Sequence, residues 1–317
     1  MSAAEFIYTV LLKPPLLRRG ANYILTSMLP RTINVKGATI HLNPSDPVVS
    51  GALTLRSYEK EEIDFFVKWF QPGMTFVDVG ANVGLYTGLA LHISADARIL
   101  CIEPDKNSSL YLKKTIQSNR ATEQQSNRAT EQQSNRATEQ QSNRATEQQS
   151  NVTVCHVAAS DAQGKLILYK NSQNKGDNRI YADPLCDERE TIESDTLDNI
   201  CERAGVESIN YLKVDVQGAE FKVFSGAKRI LSQSSDCIVM TEFWPYGLKQ
   251  CGFTPHLYLS LLQELGFTLY ELSGKTLEEI KDFDDIISRS PGRVYRNLIG
   301  LKGMFASKVY GPTSQST

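Results

Sequence analysis

The sequence predicts an α/β protein built on a doubly wound, mostly parallel sheet. Short apolar runs, typical of buried strands, alternate with segments of helical periodicity over most of the chain. One such unit, Thr75 to Gly84 (TFVDVGANVG), is a strand that breaks at Gly80 and passes at once into a helical pattern. The carboxyl ends of parallel strands meet at one rim of such a sheet, and polar residues follow several of the predicted strands. These rim residues are Asp78, Glu103, Ser160, Asp161, Asp215 and Glu242.

The turn after the Thr75 strand has the features of a nucleotide-binding corner. Gly80 allows a sharp turn, Gly84 allows close approach of the backbone, and the helix start offers N–H donors. Asp78 argues against a pyrophosphate ligand, because its carboxylate would repel phosphates, and favours a ligand with positive charge. Glu103 ends the next apolar run and is placed to accept hydrogen bonds from both hydroxyls of a ribose. The two acids favour a nucleoside-type cofactor over a purely structural glycine turn.

The composition is that of an ordinary globular protein. The 317 residues are 41% hydrophobic and 22% charged, with a formal net charge of −2, so no broad surface for nucleic acid or anionic lipid is expected. The six cysteines are scattered without a CxxC pair, which predicts reduced thiols in a cytoplasmic protein. The four histidines are dispersed as well, and no metal site is predicted.

Residues 1–60 are expected to form a lead-in of one or two helices and extended segments that packs on the main domain of residues 61–317. The apolar run Phe6–Leu12 is too short to span a membrane and lacks the features of a signal peptide. The segment from Leu16 to Met28 fits an amphipathic helix. Packing of that helix on the main domain is favoured over attachment to a membrane surface.

The elements of the main domain are predicted from their periodicity. The first helix opens at Tyr58–Glu62 and ends at Pro72–Gly73. Later helices are expected over 84–94, from near Asn107, around Leu197–Ile200, over 219–231 and over 256–265. Strands are expected at 33–35, 38–42, 75–79, 98–103, 152–157, 165–169, 209–214, 237–241, 267–271 and 294–302. The polar stretch that runs through Asp187 is expected to form a loop or hairpin over the site.

The octapeptide QSNRATEQ occurs four times in perfect copy over residues 117–148 and interrupts the main domain. Removal of all four copies would join Ile116 directly to QSNVTV, an ordinary passage from helix to strand. Eight residues advance a helix by about 800°, so each copy is rotated by roughly 80° and no fixed apolar face forms. The sequence therefore predicts a solvated helical arm or partly disordered loop, rather than a partner-binding device, that is dispensable for catalysis.

A second dense motif, KVDVQGAE, covers residues 213–220. Asp215 ends a buried strand, Gly218 makes the turn, and Glu220 falls in the first turn of the next helix. Glu220 has a structural explanation, because the helix dipole favours a carboxylate there by roughly 0.3–1 kcal/mol. Asp215 is harder to explain in that way and is interpreted as functional, with Lys213 either neutralising it or facing the substrate.

With both motifs considered, the chain resembles the FkbM-type S-adenosylmethionine-dependent methyltransferases over roughly residues 45–302, apart from the repeats. The matching residues are FVDVGANVGLYT (76–87), Glu103-Pro104, Ala159-Ser160-Asp161, Thr196-Leu197-Asp198, KVDVQGAE (213–220), Glu242 and the Tyr58-Glu59 step. The resemblance implies a Rossmann-like class I methyltransferase fold with a seven-stranded sheet and a helical N-terminal extension. Gln217 departs from the family, which usually has glutamate there, and argues against a mechanism that needs an acid at that position.

The resemblance implies S-adenosylmethionine as the cofactor and assigns its contacts. Asp78 would suit this donor, which is positively charged and has no pyrophosphate, and Glu103 would take the ribose hydroxyls. Ser160 and Asp161 would lie beside the adenine. The other donor-site residues that the resemblance implies are Glu59, Gly80, Ala81, Asn82, Gly84 and Tyr86.

The expected reaction is O-methylation of a hydroxyl on a sugar or another natural product, which requires a base. Asp215 is the first candidate and Glu242 the second, with Lys213 as a further catalytic candidate. His256 is a distant third candidate base and fits a helix start better. The segment Trp244-Pro245-Tyr246 fits either a sugar-stacking wall or core packing.

Two other classes of protein stay open at this point. One is a nicotinamide-dependent oxidoreductase, against which Asp78 and the missing third glycine of GxGxxG count. The other is an inactive scaffold that uses the repeats for protein contacts. For the enzyme, the expected partner is a small-molecule hydroxyl acceptor, with no nucleic acid and no transmembrane segment, and a homo-oligomer is left open.

Overall fold

A computed structural model describes residues 29–55, 58–134, 151–172 and 174–310 of the chain. The helices expected before residue 29 and the repeats beyond residue 134 lie outside these ranges. The strands are β1 (Thr32–Val35), β2 (Ala38–His41), β3 (Thr75–Val79), β4 (Arg98–Ile102), β5 (Val152–Cys155), β6 (Ala158–Ser160), β7 (Gly164–Lys170), β8 (Glu188–Thr196), β9 (Tyr211–Val214), β10 (Cys237–Phe243), β11 (Thr268–Ser273), β12 (Thr276–Glu279) and β13 (Arg296–Lys302). The α-helices are α1 (Pro47–Thr54), α2 (Lys60–Trp69), α3 (Leu85–Ile93), α4 (Lys106–Ser134), α5 (Leu197–Arg203), α6 (Glu220–Ser225), α7 (Lys228–Gln233), α8 (Pro245–Gln250), α9 (Pro255–Glu264), α10 (Phe283–Ser288) and α11 (Met304–Tyr310).

The largest sheet has eight strands in the order β12-β11-β13-β10-β9-β3-β4-β5. Every pairing from β10 to β5 is parallel, whereas β13 is antiparallel to both β10 and β11. The predicted doubly wound, mostly parallel sheet is confirmed. It has one strand more than the expected seven, because β12 pairs with β11 as an antiparallel edge hairpin. Separate from it are the β1–β2 hairpin and a three-stranded sheet in the order β6-β8-β7.

Apolar side chains cover both faces of the large sheet. Along β3, Phe76 belongs to one core cluster, and Val77 and Val79 belong to the other. On the first face the ring of Phe66 in α2 lies 5.2 Å from that of Phe76 and 4.9 Å from that of Tyr211 in β9. Burial on both faces explains why the central strands are nearly continuous apolar runs in the sequence. The carboxyl ends of these strands are left as the rim at which a ligand can bind.

A helix and a strand are among the elements whose boundaries differ from the predicted ones. The helix expected over 219–231 is two helices, α6 and α7, which are interrupted at Gly226-Ala227. A Cβ on Gly226 would lie 2.1 Å from the carbonyl oxygen of Ser160, so the break allows β6 to approach the helix closely. The strand expected over 152–157 ends at Cys155, and the chain then forms β6 in the smaller sheet.

Helix α4 continues from the main domain through the first two copies of the repeat. It is polar, and no helix in the described part of the chain is both long and apolar enough to cross a membrane. The first copy is anchored, because Asn119 exchanges two hydrogen bonds with the backbone of Thr39 in β2, at 2.9 and 2.8 Å. Asn151, in the QSN fragment after the last copy, donates to the carbonyl oxygens of Ala95 and Ala97 at 2.7 and 2.8 Å. Asn119 and Asn151, which each end a QSN tripeptide, therefore form hydrogen bonds with two different backbone segments.

This arrangement predicts different outcomes for two deletions. Removal of the last three copies, Gln125–Gln148, keeps both asparagines and should leave the unfolding free energy close to the wild-type value. Removal of all four copies, Gln117–Gln148, leaves one asparagine to bond either Thr39 or Ala95 and Ala97. The unfolding free energy should then fall by about 1–3 kcal/mol, the net contribution of two lost hydrogen bonds. Urea denaturation of the three proteins checks this, and equal stability of the two deletion variants would contradict it.

Candidate active site

A cavity, here called the turn cavity, opens at the carboxyl ends of β3, β4 and β9, around the turn between β3 and α3. The predicted turn residues Gly80, Ala81 and Asn82 lie in its wall. Gly80 has a φ of 81°, and a Cβ there would lie 1.9 Å from the carbonyl oxygen of Asp215, so the position requires glycine. The lining brings together six more of the predicted site residues, which are Glu59, Asp78, Tyr86, Glu103, Lys213 and Asp215.

Asp78 places a buried carboxylate in the wall of the turn cavity. Its Oδ2 accepts a hydrogen bond from the Thr87 hydroxyl at 2.9 Å, whereas its buried Oδ1 has no partner in the described part of the chain. Burial raises the pKa of Asp78 to about 6, and the charge of Lys213 opposes that rise. A positively charged ligand would pair with the orphaned oxygen and stabilise the ionised carboxylate.

Glu103 organises the glycine turn as well as lining the cavity. Its Oε2 accepts a hydrogen bond from the backbone N–H of Asn82 at 2.8 Å, and its Oε1 accepts one from Asp105 at 2.7 Å. Burial raises the pKa of Glu103 to about 7, and these two hydrogen bonds oppose the rise. A carboxylate offers about four lone-pair positions, so Glu103 keeps acceptor capacity for ribose hydroxyls. Asn82, with a φ of 47°, adds a buried Oδ1 that lacks a partner among the described residues.

Lys213 is a buried cation between several carboxylates. It is the register partner of Asp78 across β9 and β3, and its Nζ lies 3.2 Å from Asp215 Oδ2. The same ammonium lies 4.8 Å from the ring centroid of Tyr86, whose hydroxyl donates to Glu59 at 2.6 Å. Burial alone would lower the pKa of Lys213, but the charges of Asp215, Glu59 and Asp78 raise it above its ordinary value. Lys213 therefore supplies a positive charge between these carboxylates.

A second cleft, here called the Glu242 cleft, adjoins the turn cavity. The two share Tyr58, Glu59, Lys213, Asp215 and Gln217 among their lining residues. The Glu242 cleft contains about 1720 Å³ of space, part of it open to solvent, against about 960 Å³ for the turn cavity. Its own lining residues include Glu62, Asp177, Arg179, Glu242, Trp244, Arg293 and Tyr295. A ligand in the turn cavity can therefore be reached from the cleft.

The KVDVQGAE motif forms the boundary between the two spaces. Gln217 donates through Nε2 to Asp215 Oδ1 at 2.9 Å and lies 3.5 Å from Glu242 Oε2. Glu242 lies inside β10 opposite Asn297, one position further into the strand than its predicted place at the strand end. Burial, followed by the charge of Asp215, raises the pKa of Glu242 well above its ordinary value.

Glu220 has the structural role that its position at a helix start indicated. It is fully buried, and its Oε1 accepts the backbone N–H groups of Val216 at 3.2 Å and Gly218 at 3.1 Å. Burial raises the pKa of Glu220 to about 7, and its backbone hydrogen bonds oppose the rise. The buried carboxylate therefore supports the loop that carries Gln217.

Four predicted residues do not line either space. Ser160 donates to Asp161, and Asp161 pairs with Lys222 at 3.0 Å. They lie at the end of β6 in the smaller sheet, so the adenine contact stays a prediction. Gly84 has a φ of 83°, and a Cβ there would lie 2.7 Å from Leu112 of α4, so it serves helix packing. His256 lies in the first turn of α9, as its helix-start interpretation expected, and pairs with Asp284 at 2.8 Å.

Several lining residues were missed by the sequence analysis. Val49 and Leu53 reach the turn cavity from α1, and Lys175, Gly176 and Asn178 reach it from the loop after β7. Helix α1 had a signal that could have found it, because Asp46 is a capping residue directly before a proline at the first helical position. The loop was expected over the site from the polar stretch that runs through Asp187, but no local pattern indicated which of its residues line the cavity. Its approach depends on contacts between segments more than 100 residues apart in the chain.

Comparisons with known proteins identify a family for the chain. A family model described as the Methyltransferase FkbM domain matches residues 78–269, and a search of curated proteins finds no significant match. Solved structures similar to the chain include the precorrin-6y C5,15-methyltransferase of Geobacter metallireducens, at 10% identity, 77% coverage of this chain, 89% of that chain and a TM-score of 0.39. Another is SMU.1697c, a putative methyltransferase of Streptococcus mutans in complex with SAH, at 12% identity, 75% and 94% coverage and a TM-score of 0.36.

The sheet and the turn cavity define a Rossmann-like methyltransferase. The family match covers 192 of the 317 residues, and the chain belongs to the FkbM methyltransferase domain family. Its cofactor is S-adenosylmethionine, which supplies a methyl group on a positively charged sulfur. The orphaned oxygens of Asp78 and Asn82 and the close turn at Gly80 fit this cofactor. The oxidoreductase and inactive-scaffold alternatives are set aside.

Replacement of Glu103 tests the donor site. Glu103→Ala should weaken binding of S-adenosylhomocysteine, the demethylated donor, by roughly 1.5–3 kcal/mol, because hydrogen bonds to a charged group are lost. The matched control is Asp198→Ala, since Asp198 also accepts two backbone N–H groups, from Arg229 and Ile230, outside the cavity. Calorimetry measures the affinity of both variants for S-adenosylhomocysteine. A loss of affinity in Glu103→Ala but not in Asp198→Ala shows that contacts with the ligand are lost, rather than backbone hydrogen bonds in general. Unchanged affinity in Glu103→Ala would remove Glu103 from the donor site.

The buried Glu220 predicts a pH-dependent stability. Folding raises its pKa from 4.5 to about 7, so the folded protein holds the proton more tightly and the unfolding free energy falls as pH rises through this window. Glu220→Gln removes this titration and should reduce the fall between about pH 5 and 8 by about 1–3 kcal/mol. Denaturation at both pH values checks it, with the exposed Glu264→Gln as the control. A fall of wild-type size in Glu220→Gln would contradict the expectation.

Proposed function

We propose that the protein transfers the methyl group of S-adenosylmethionine to a hydroxyl of a small molecule, a sugar or another natural product. The observation that carries this proposal is the Glu242 cleft, which opens directly onto the turn cavity and shares its boundary residues. The donor and the acceptor would meet at that boundary. Positioning of two reactants in this way can lower the activation barrier by on the order of 7–11 kcal/mol.

The chemistry of the boundary supports a hydroxyl acceptor. A hydroxyl is a weak nucleophile until a base takes its proton, and such a base contributes about 10²–10⁴-fold. Asp215 and Glu242 both line the Glu242 cleft and are linked through Gln217. Lys213 pairs with Asp215, so it serves to hold this carboxylate rather than to take the proton. The proposed base is one of the two carboxylates.

The walls of the Glu242 cleft support a polar acceptor with apolar ring faces. Trp244 and the largely exposed Tyr295 line the cleft, and aromatic rings of this kind pack against sugar C–H groups. The guanidinium of Arg179 lies 5.0 Å from the Trp244 ring, and that of Arg293 lies 4.6 Å from the Tyr246 ring. Arg179, Arg293, Trp244 and Tyr295 thus give this cleft both aromatic rings and charged hydrogen-bonding groups, a combination that suits a sugar.

The charge of the Glu242 cleft argues against nucleic acid as the acceptor. Six acidic residues and four basic residues line it, and this excess of acidic residues disfavours the phosphates of a nucleic acid. The acidic residues are Glu59, Glu61, Glu62, Asp177, Asp215 and Glu242, and the basic residues are Lys60, Arg179, Lys213 and Arg293. The formal net charge of −2 adds no compensating field. The proposed partner is therefore a small molecule. A cytoplasmic location and a homo-oligomer stay predictions from the sequence.

Methylation of host extracts with isotope-labelled donor tests the proposed function. We expect the label in a small-molecule methyl ether, identified by mass spectrometry and NMR of the product. Asp215→Asn and Glu242→Gln keep the shape of the side chain, and the variant that removes the base should lower turnover by about 10²-fold or more while donor affinity and melting temperature stay near wild type. Label on nitrogen, on sulfur or in RNA would contradict the proposal.

A further inference from the structure

The loop after β9 joins the two carboxylates of the boundary through a neutral side chain. Nε2 of Gln217 donates to Asp215 Oδ1 at 2.9 Å and lies 3.5 Å from Glu242 Oε2. Gln217 lines both the turn cavity and the Glu242 cleft. A single amide therefore contacts both candidate bases at the place where donor and acceptor would meet.

The backbone at Gln217 is unusual for its residue type. Its φ of 54° lies in the left-handed region, which glycine adopts with less strain than any residue with a Cβ. Strained positions of this kind cluster at functional sites. Beneath the loop, Glu220 accepts the N–H groups of Val216 and Gly218 and holds this conformation in place. The side chain of Gln217, rather than the turn, explains why glutamine occupies the position.

The two carboxylates differ in the hydrogen bonds that they accept. Both oxygens of Asp215 are engaged, Oδ2 with the Lys213 ammonium at 3.2 Å and Oδ1 with Gln217. Uptake of a proton by Asp215 would weaken this ion pair. Among the described side chains, Gln217 alone donates to the Glu242 carboxylate, at 3.5 Å. Glu242 is therefore the carboxylate that can take a proton without losing a close ion pair.

We infer that Glu242 is the catalytic base and that Gln217 is the positioning residue that holds it beside Asp215. The inference rests on the proposed O-methylation. The acceptor oxygen bonds to the methyl carbon while the carbon–sulfur bond breaks, and that electron pair stays on sulfur, which becomes neutral. The hydroxyl proton passes to Glu242 and leaves through the solvent-open cleft. Asp215 keeps its negative charge and its contact with Lys213 throughout.

The surroundings of Glu242 favour uptake of a proton by its carboxylate. The charged and titratable groups that face it are Glu59, Lys213, Asp215, Glu220, Tyr258 and Tyr295. Burial is the largest cause of the raised pKa of Glu242. The charges of Asp215, Glu220 and Glu59 raise this pKa further, and the charge of Lys213 opposes the rise. Donation from Gln217 favours the ionised form of Glu242. The amide thereby keeps the base available in a site that otherwise favours its protonated form.

Two variants of matched shape test the link between Gln217 and Glu242. Gln217→Met removes the N–H donor at nearly constant length, and Gln217→Glu adds a negative charge. Carbon-13 NMR of the donor-free protein, labelled at the glutamate side-chain carboxyl, follows the titration, and Glu242 is the signal that Glu242→Gln lacks. We expect the pKa of Glu242 to rise by about half a unit to one unit in Gln217→Met and further in Gln217→Glu.

An unchanged or lower pKa of Glu242 in Gln217→Met overturns the positioning role. Gln217→Gly, which relaxes the left-handed backbone while removing the amide, gives the same test if Gln217→Met does not fold. These titrations need no acceptor. They decide the link between Gln217 and Glu242 even if extracts yield no methylated hydroxyl and the proposed function fails.

Turnover on a hydroxyl acceptor from the extract experiment tests the base. The acidic limb of the pH–rate profile should move to higher pH in Gln217→Met, with the KM for the donor unchanged. Glu242→Gln should lower kcat by about 10²–10⁴-fold and remove that limb. The exposed Glu264→Gln should match wild type. An acidic limb that persists in Glu242→Gln overturns the assignment of Glu242 as the base.

Discussion

The site depends on one buried cation, the ammonium of Lys213. It lies 3.2 Å from Asp215, its residue is the register partner of Asp78, and it packs on the ring of Tyr86, which bonds to Glu59. Carboxylates that share a desolvated site repel one another and would otherwise be driven to their protonated forms. Lys213 opposes the rise in the pKa of Asp78 that burial causes, and so favours the ionised carboxylate that a cationic donor would pair with. The cation is fixed because it sits inside strand β9, whose neighbours are the two strands that complete the rim.

Loops from distant parts of the chain complete the site around this centre. Asp183, in the loop after β7, pairs with both Arg179 and Arg293, the latter at 3.1 Å. Arg179 is 3% exposed and packs against the Trp244 ring at 5.0 Å. A buried arginine must be paired to offset its desolvation, so the two aspartates of the loop, Asp177 and Asp183, hold it there. The polar stretch expected to cover the site therefore forms a wall of the Glu242 cleft through specific ion pairs.

The repeats and the catalytic rim are independent features of the same fold. Strands bind ligands at their carboxyl ends, and α4 leads from such an end to the opposite edge, where the repeats are inserted. The contacts of Asn119 with β2 and of Asn151 with Ala95 and Ala97 lie at that opposite edge. Each copy begins with QSN and the last copy is followed by another QSN, so whole copies can be added or removed while an asparagine stays at each of the two contacts. The described part of the insertion, up to Ser134, continues helix α4.

The sequence by itself determined the parallel sheet, the glycine turn and the acids of its rim, because these follow from periodicity and local chain geometry. Asp78, Glu103 and Lys213 were found in this way, since a residue at the end of a predicted strand has a known place. The tertiary structure alone decided that Ser160 and Asp161 lie at the end of a strand in a second sheet, that Glu220 is a buried support, and that α1 lines the cavity. It also showed that both carboxylate oxygens of Asp215 have partners, Lys213 and Gln217, whereas Glu242 has only the contact with Gln217 among the described side chains. Hydrogen bonds, burial and ion pairs between segments far apart in the chain depend on distances in three dimensions, and no local pattern of residues specifies them.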